Sequence, residues 1–286
     1  MSSSAASIRI VTDTTAALPE AFAAAHQVEV VPQVVLFGDE SFLEEKELSY
    51  ADYIRRLKAS PRLPKTAAPP PGLLIEAYRR QLAEATTVLS IHPSVDVSGT
   101  YNSALTAKAA LPGADIRPLD SRTVGGNLGT FVQWAVGWAD AGLGADEIMT
   151  RLQALIPRGR TFFLVATLEY LQKGGRIGGA AALFGSMLQI KPLLEIKNGR
   201  TEPLEKVRTH HHALERLKEL VCEQCPRSPE AHVCVMHADD ENEAQSLARD
   251  LEASLGITAI PIYRLGAAIT THAGPGTLGV GFFVEK

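Results

Sequence analysis

Cysteine is scarce here: the chain of 286 residues has three, Cys222, Cys225 and Cys234, too few for a disulfide framework. The Cys222-x-x-Cys225 spacing invites zinc, but the second compact ligand pair that a structural zinc site needs is missing. No metal is expected. The run His210-His211-His212 fails for another reason, since adjacent helical residues point in different directions. A large excess of one charge is lacking too: the net charge of -4 gives no long-range attraction for nucleic acid or an anionic membrane. The first residues are small and polar and run straight into Ile8-Arg9-Ile10-Val11. No basic segment leads an apolar one there, so no secretory signal is expected and a cytoplasmic location is the simplest reading. The longest uncharged stretch, 265–284, matches a membrane span in length. Its five glycines, proline and histidine fit turns and a closing strand far better.

What is present is an ordinary globular composition, 45% hydrophobic and 21% charged, over a length suited to two domains. In the first half, strands expected at 8–12, 28–36, 87–91 and 115–119 alternate with helices at 16–25, 50–59, 73–85, 100–110, 128–140 and 145–155. An acidic surface loop follows the second strand. Residues 60–72 hold five prolines and read as an extended loop. Ser49-Tyr50-Ala51-Asp52 is a capping-box variant at a helix start. This rhythm predicts a three-layer α/β domain with a parallel sheet covered on both faces. Pro157-Arg158-Gly159 marks the expected boundary, giving domains 1–158 and 159–286.

The second half mixes strands at 161–165, 189–196, 201–207, 232–237, 258–262 and 280–284 with a short helix ending at Gly174 and helices at 213–223 and 241–255. Asn198-Gly199 marks a hairpin turn, because both residues tolerate positive φ. An α+β domain with a mixed sheet is the expectation.

In an open parallel sheet, ligands bind beyond the carboxyl ends of the strands. Those positions are Asp13–Thr15, His92–Thr100 and Asp120–Thr123, all rich in hydroxyls and small residues, with Thr66 in the proline-rich loop near the same edge. Hydroxyls and helix N-termini suit an anionic headgroup; each hydroxyl taken alone reads first as a helix N-cap, and it is their clustering at one edge that points to a ligand. Gly274-Pro275-Gly276-Thr277-Leu278-Gly279 has the dinucleotide spacing, but the chain ends at Lys286, before the acidic residue that should follow. Gly174 to Gly179 has P-loop glycine spacing with Ala180 where lysine is required. Neither supports nucleotide binding. Asp13 invites a rival reading, a phosphotransferase or hydrolase with a carboxylate nucleophile. The second acidic residue usual in such sites is replaced by Thr14-Thr15.

The small residues from Gly174 to Gly185, followed by the apolar run to Leu194, let either another backbone or a slender ligand approach closely.

In order, the chain carries Val11-Thr12-Asp13-Thr14-Thr15, Lys65-Thr66, Ser98-Gly99-Thr100-Tyr101-Asn102-Ser103-Ala104 and Asp120-Ser121. Its second half carries Leu168-Glu169-Tyr170-Leu171-Gln172-Lys173-Gly174-Gly175-Arg176-Ile177, Ile190-Lys191-Pro192, Glu202-Pro203-Leu204-Glu205-Lys206-Val207-Arg208 and Thr271-His272-Ala273-Gly274-Pro275-Gly276. Over nearly its whole length this pattern closely resembles the DegV family, the fatty-acid-binding proteins that serve as the lipid-carrying subunit of bacterial fatty acid kinase. The resemblance implies a DegV-like fold with the acyl chain in the second domain and the carboxyl group between the two. It implies that Thr66 and Ser98 bind the carboxylate, that Arg176 and His272 support the headgroup, and that Arg208 serves the kinase or phosphoryl transfer. The implied partners are a long-chain fatty acid such as palmitate, a fatty acid kinase catalytic subunit that forms an acyl phosphate, and a membrane surface in transient contact. No cofactor and no catalysis by the carrier itself are implied, and the rival stays a small-molecule enzyme using Asp13 or His272. One departure stands out. The family usually continues the Thr66 motif with polar residues, where this chain has Ala67-Ala68-Pro69, thinning the hydrogen-bond network around Thr66.

Overall fold

The computed structural model describes residues 7–189 and 191–285. Residues 1–6, Ile190, Lys286 and the side chains of 184–189 lie outside that description, so the Ile190-Lys191-Pro192 motif and the apolar run to Leu194 are described only in part.

The chain begins with β1 (Ile8–Asp13), a 3-10 turn at Thr14–Ala16, α1 (Glu20–Ala25), β2 (Glu29–Val31), β3 (Val34–Phe37) and β4 (Glu40–Leu43). Next come α2 (Tyr50–Ala59), β5 (Lys65–Ala67), α3 (Pro71–Leu82), β6 (Thr87–His92), α4 (Thr100–Ala109), β7 (Asp115–Asp120), α5 (Gly126–Asp140) and α6 (Ala145–Leu155). The second half has β8 (Gly159–Leu164), α7 (Glu169–Lys173), a 3-10 segment (Gly178–Gln189), β9 (Lys191–Lys197) and β10 (Arg200–Val207). It closes with α8 (His210–Gln224), β11 (Cys234–Ala238), α9 (Glu241–Leu255), β12 (Ile262–Arg264), α10 (Ala267–Ala273) and β13 (Thr277–Phe283).

Strands β2-β1-β6-β7 form an all-parallel sheet. Apolar residues of α5 and α6 cover one face and those of α3 and α4 the other, giving the expected three layers. A second sheet, β10-β9-β8-β13-β11-β12, is antiparallel except for the parallel pair β11–β12. Residues of α8 and α9 pack with Phe162, Leu164, Val235, Leu278 and Val280 on its outer face. Asn198 and Gly199, both at positive φ, turn β9 into β10, as the dipeptide predicts.

A third sheet, β4-β3-β5, corrects three expectations. The strand expected at 28–36 breaks at Pro32-Gln33, with β2 in the parallel sheet and β3 in the third. Proline has no N–H for a ladder, so the chain changes sheets there. The acidic loop contains β4, paired antiparallel with β3, and the proline-rich loop contains β5, paired with β3 through Thr66 and Val35. Helix α2 lies on this sheet. Ser49 Oγ accepts the Asp52 N–H at 3.2 Å, the expected cap. Tyr50, Tyr53, Ile54 and Leu57 fall on one face of the helix and are buried. Each contributes about 1.5–3 kcal/mol if its burial is complete.

Helix α10 is the fourth correction, because 265–279 reads as turns. Glycines flank it and its length is two turns, so tertiary contacts hold it. The Tyr53 hydroxyl meets Thr271 Oγ1 at 3.0 Å. The Ala268 N–H donates to Glu44 at 3.1 Å. The strand expected at 258–262 shifts to β12, beyond Pro261 and the positive φ of Ala259. Among the described residues no helix is long and apolar enough to cross a membrane.

Candidate functional site

On β13 the residues alternate in size. Leu278, Val280 and Phe282 join the outer core, while Thr277, Gly279 and Gly281 face the other way. Gly279 is in register with Met236 on β11 and Phe163 on β8, so these three share the inner face. Small residues along the middle of that face hollow it out.

The hollow is the floor of a cavity that, with the open solvent at its mouth, encloses about 950 Å³. The carboxyl ends of the parallel sheet supply its opposite wall through Thr15, Pro93, Val97, Ser98, Gly99 and Val124, and α10 contributes Ile269 and His272. Thr66, Ser98, Arg176 and His272 line the cavity close to one another, and apart from Gln33 and several threonines the rest of the lining is apolar.

Each of these four is placed by identifiable contacts. Thr66 sits in the middle of β5, and its Oγ1 lies 2.7 Å from His272 Nε2. Burial, then the nearby Arg176 charge, drives the His272 pKa down to about 4, so the imidazole is neutral near pH 7. Its Nδ1 is buried with no partner among the described residues. The ring packs onto Gly174, where any Cβ would overlap Nδ1 and crowd the Tyr170 carbonyl. Arg176 donates through Nε to the Val97 carbonyl at 3.0 Å and through Nη1 to the Gly174 carbonyl at 2.8 Å. It thereby ties the loop after β6 to the end of α7. Gly178 and Gly179 press against the Thr201 backbone and the Glu202 side chain, so there the glycine-rich run serves close packing on β10.

Ser98 stands just before α4, whose N-terminal end carries partial positive charge. Ser98 Oγ lies 2.8 Å from Thr100 Oγ1 and 3.3 Å from the Thr100 backbone nitrogen. Gln33 Nε2 reaches both Thr100 Oγ1 at 2.8 Å and Asp13 Oδ1 at 2.9 Å. Oδ1 also accepts from the Thr15 backbone N–H, and Oδ2 lies 2.8 Å from His92 Nδ1. His92 Nε2 in turn meets Ser90 Oγ at 2.6 Å. Asp13, His92 and Ser90 are wholly buried, and none of them lines the cavity. Both Asp13 oxygens are engaged by protein groups, away from the cavity lining where a substrate would meet a nucleophile.

Sequence reasoning missed Gln33 and the relay through Thr100. The signal lay in Pro32, which argues against one unbroken strand. Ser121 is a structural hydroxyl, donating to the His92 carbonyl at 2.8 Å. Ala68 lines the cavity beside Gly99, so the wall next to Thr66 is apolar there. Arg208 and Lys206 are exposed after and at the end of β10, outside the cavity lining. Burial raises the thiols of Cys225 and Cys234 to about 12, which keeps them protonated. Among the described residues no group of three or more His, Cys, Asp or Glu side chains gathers as metal ligands would.

Comparison with known proteins places these features. The profile of the DegV family, described as uncharacterised proteins, matches residues 7–285. A DegV domain-containing protein of Halalkalibacterium halodurans is 37% identical over 280 residues, covering 98% of this chain and 99% of that protein. Among solved structures, a fatty-acid-binding DegV family protein from Thermus thermophilus superposes with TM-score 0.88 at 31% identity, covering 97% of this chain and 99% of that one. A stearic acid-binding protein from Eubacterium ventriosum superposes with TM-score 0.88 at 25% identity, covering 97% and 98%. The chain belongs to the DegV family.

Proposed function

We propose that this chain is a fatty-acid carrier that buries one long-chain acid, with its carboxylate at Thr66 and Ser98 and its tail over the inner face of the mixed sheet. The observation that carries this reading is a largely apolar cavity whose lining brings Thr66, Ser98, Arg176 and His272 close together. The likeness to structures that bind fatty acids supports it. Burying some 15 methylenes at roughly 0.8 kcal/mol each offers on the order of 12 kcal/mol before the costs of association. The tail supplies affinity, and the polar groups supply orientation.

In this reading the domains are 1–158 and 159–286, and the headgroup lies at their boundary. Arg176 lends positive charge, and neutral His272 supports Thr66. The carrier supplies no nucleophile. A fatty acid kinase would phosphorylate the presented carboxylate to an acyl phosphate, engaging the exposed Arg208 beside Lys206. The test is equilibrium binding of radiolabelled palmitate to delipidated protein. Saturation near one acid per chain is expected; absence of uptake overturns the carrier role.

A further inference from the structure

The orientation of the Ser98 hydroxyl follows from donor and acceptor bookkeeping, starting at Asp13. Asp13 Oδ1 takes the Thr15 backbone N–H, a group that only donates, so Oδ1 is an acceptor whatever the proton state of Oδ2. The Gln33 amide must therefore turn its NH2 toward Oδ1, and Nε2 sits there at 2.9 Å. The second amide proton goes to Thr100 Oγ1 at 2.8 Å. Thr100 Oγ1 accepts that proton; the residue is buried and Ser98 Oγ, at 2.8 Å, is its one other partner among the described residues, so the Thr100 hydroxyl proton has its acceptor only there. Ser98 Oγ accepts again from the Thr100 backbone N–H at 3.3 Å. Both Ser98 lone pairs are then occupied. Its one remaining capacity is its own proton, for which the described residues hold no acceptor, and the residue lines the cavity.

We propose that Asp13, Gln33 and Thr100 are positioning residues that compel Ser98 to donate into the cavity, so that the site selects acceptor-only headgroups. A carboxylate fits this arrangement; the matching fatty alcohol or primary amide can accept from Ser98 but leaves its own proton without an acceptor there. The inference rests on the carrier reading and adds the source of its headgroup selectivity. Burial supports it, since Asp13 and Thr100 are 0% exposed and Gln33 is 3% exposed. An unpaired group there is costly. Gln33 and Thr15 themselves reach the cavity wall, so the relay ends where a headgroup would lie.

The test compares hexadecanoate with hexadecanol as competitors for a fluorescent fatty-acid probe, in wild type, Thr100→Val, Thr100→Ser and Gln33→Met. Valine keeps the shape of threonine and removes its hydroxyl, freeing Ser98 to accept. Thr100→Val should lower the acid-over-alcohol preference by roughly tenfold or more, the size expected for one oriented hydrogen bond to a charged group. Thr100→Ser should restore it, and Gln33→Met should lower it as Thr100→Val does. Thermal melts establish that each variant is folded. A preference unchanged in both Thr100→Val and Gln33→Met, with wild type binding the acid, overturns the relay. A wild type that binds neither competitor nor probe contradicts the carrier reading instead.

Discussion

His272 Nε2 lies 2.7 Å from Thr66 Oγ1, a contact spanning 206 positions of sequence. With the imidazole neutral, one of its nitrogens carries the proton. A proton on Nδ1 would leave a buried N–H without an acceptor, because Nδ1 has no partner among the described residues; orphaned buried N–H groups are rare. The Nε2–H tautomer avoids that cost; in it Nε2 donates to Thr66, and the Thr66 hydroxyl proton is available to a ligand. Thr66 and Ser98 thus present the same polarity.

The depressed pKa of His272, about 4 against an ordinary 6.5, fixes the sign of a pH effect. Between those values the unfolded chain binds a proton that the folded chain does not, so stability rises with pH across the window. Wild type should lose up to about 3 kcal/mol from this residue as pH falls from 6.5 toward 4. Chemical denaturation at several pH values should show a flatter profile for His272→Asn; an identical slope would show that the ring is not held neutral.

Glu44 acts in the opposite sense. Burial first of all raises its pKa from 4.5 to about 7, against the lowering effect of its contacts with Thr14 and the Ala268 N–H. Its stabilising contribution is complete below pH 4.5 and is lost as pH rises through 7, by at most about 3 kcal/mol. Glu44→Gln should remove that loss, so the variant gains on wild type between pH 5 and pH 8. Parallel melting curves over that range check the prediction.

Gly174→Ala should destabilise by about 1–3 kcal/mol, the usual cost of forcing an extra methyl into a packed site. The methyl overlaps His272 Nδ1, and relief requires the ring to leave Thr66. Lipid affinity should fall along with stability. Guanidinium denaturation and a lipid-exchange assay separate the two losses.

Arg208→Ala should leave bound fatty acid in place, because the residue is exposed and outside the cavity lining. Acyl phosphate formation with a cognate kinase should fall sharply. A coupled phosphorylation assay run beside lipid exchange checks both halves, and wild-type transfer by the variant contradicts the partner-facing role.

Much of this organisation is legible in the sequence, for physical reasons. Alternating strand and helix patterns report a sheet covered on both faces, and Asn198-Gly199 and Ser49-x-x-Asp52 report local geometry that needs no distant partner. The residues expected at the headgroup, drawn from four distant segments, do line one cavity. What stayed hidden depends on distant contacts. Helix α10 carries two threonines in two turns between glycines, a weak helix by propensity, and exists because Glu44, Tyr50 and Tyr53 hold it. Gln33 reads as a strand residue until the sheet change at Pro32 places its amide between Asp13 and Thr100. Glu44 reads as surface acid, yet it is 1% exposed.

The proposed carrier role requires that one fatty acid fill the cavity, held at its carboxylate by Thr66 and Ser98. Native mass spectrometry of protein purified gently from lipid-rich cells, wild type beside the Thr66→Ala/Ser98→Ala double variant, reads out both parts. Losing two hydrogen bonds to a desolvated carboxylate should cost roughly 3–6 kcal/mol. Wild type should carry the added mass of one long-chain fatty acid per chain, and the folded double variant should carry little or none. A bare wild-type chain, or a double variant as fully loaded as wild type, contradicts the account.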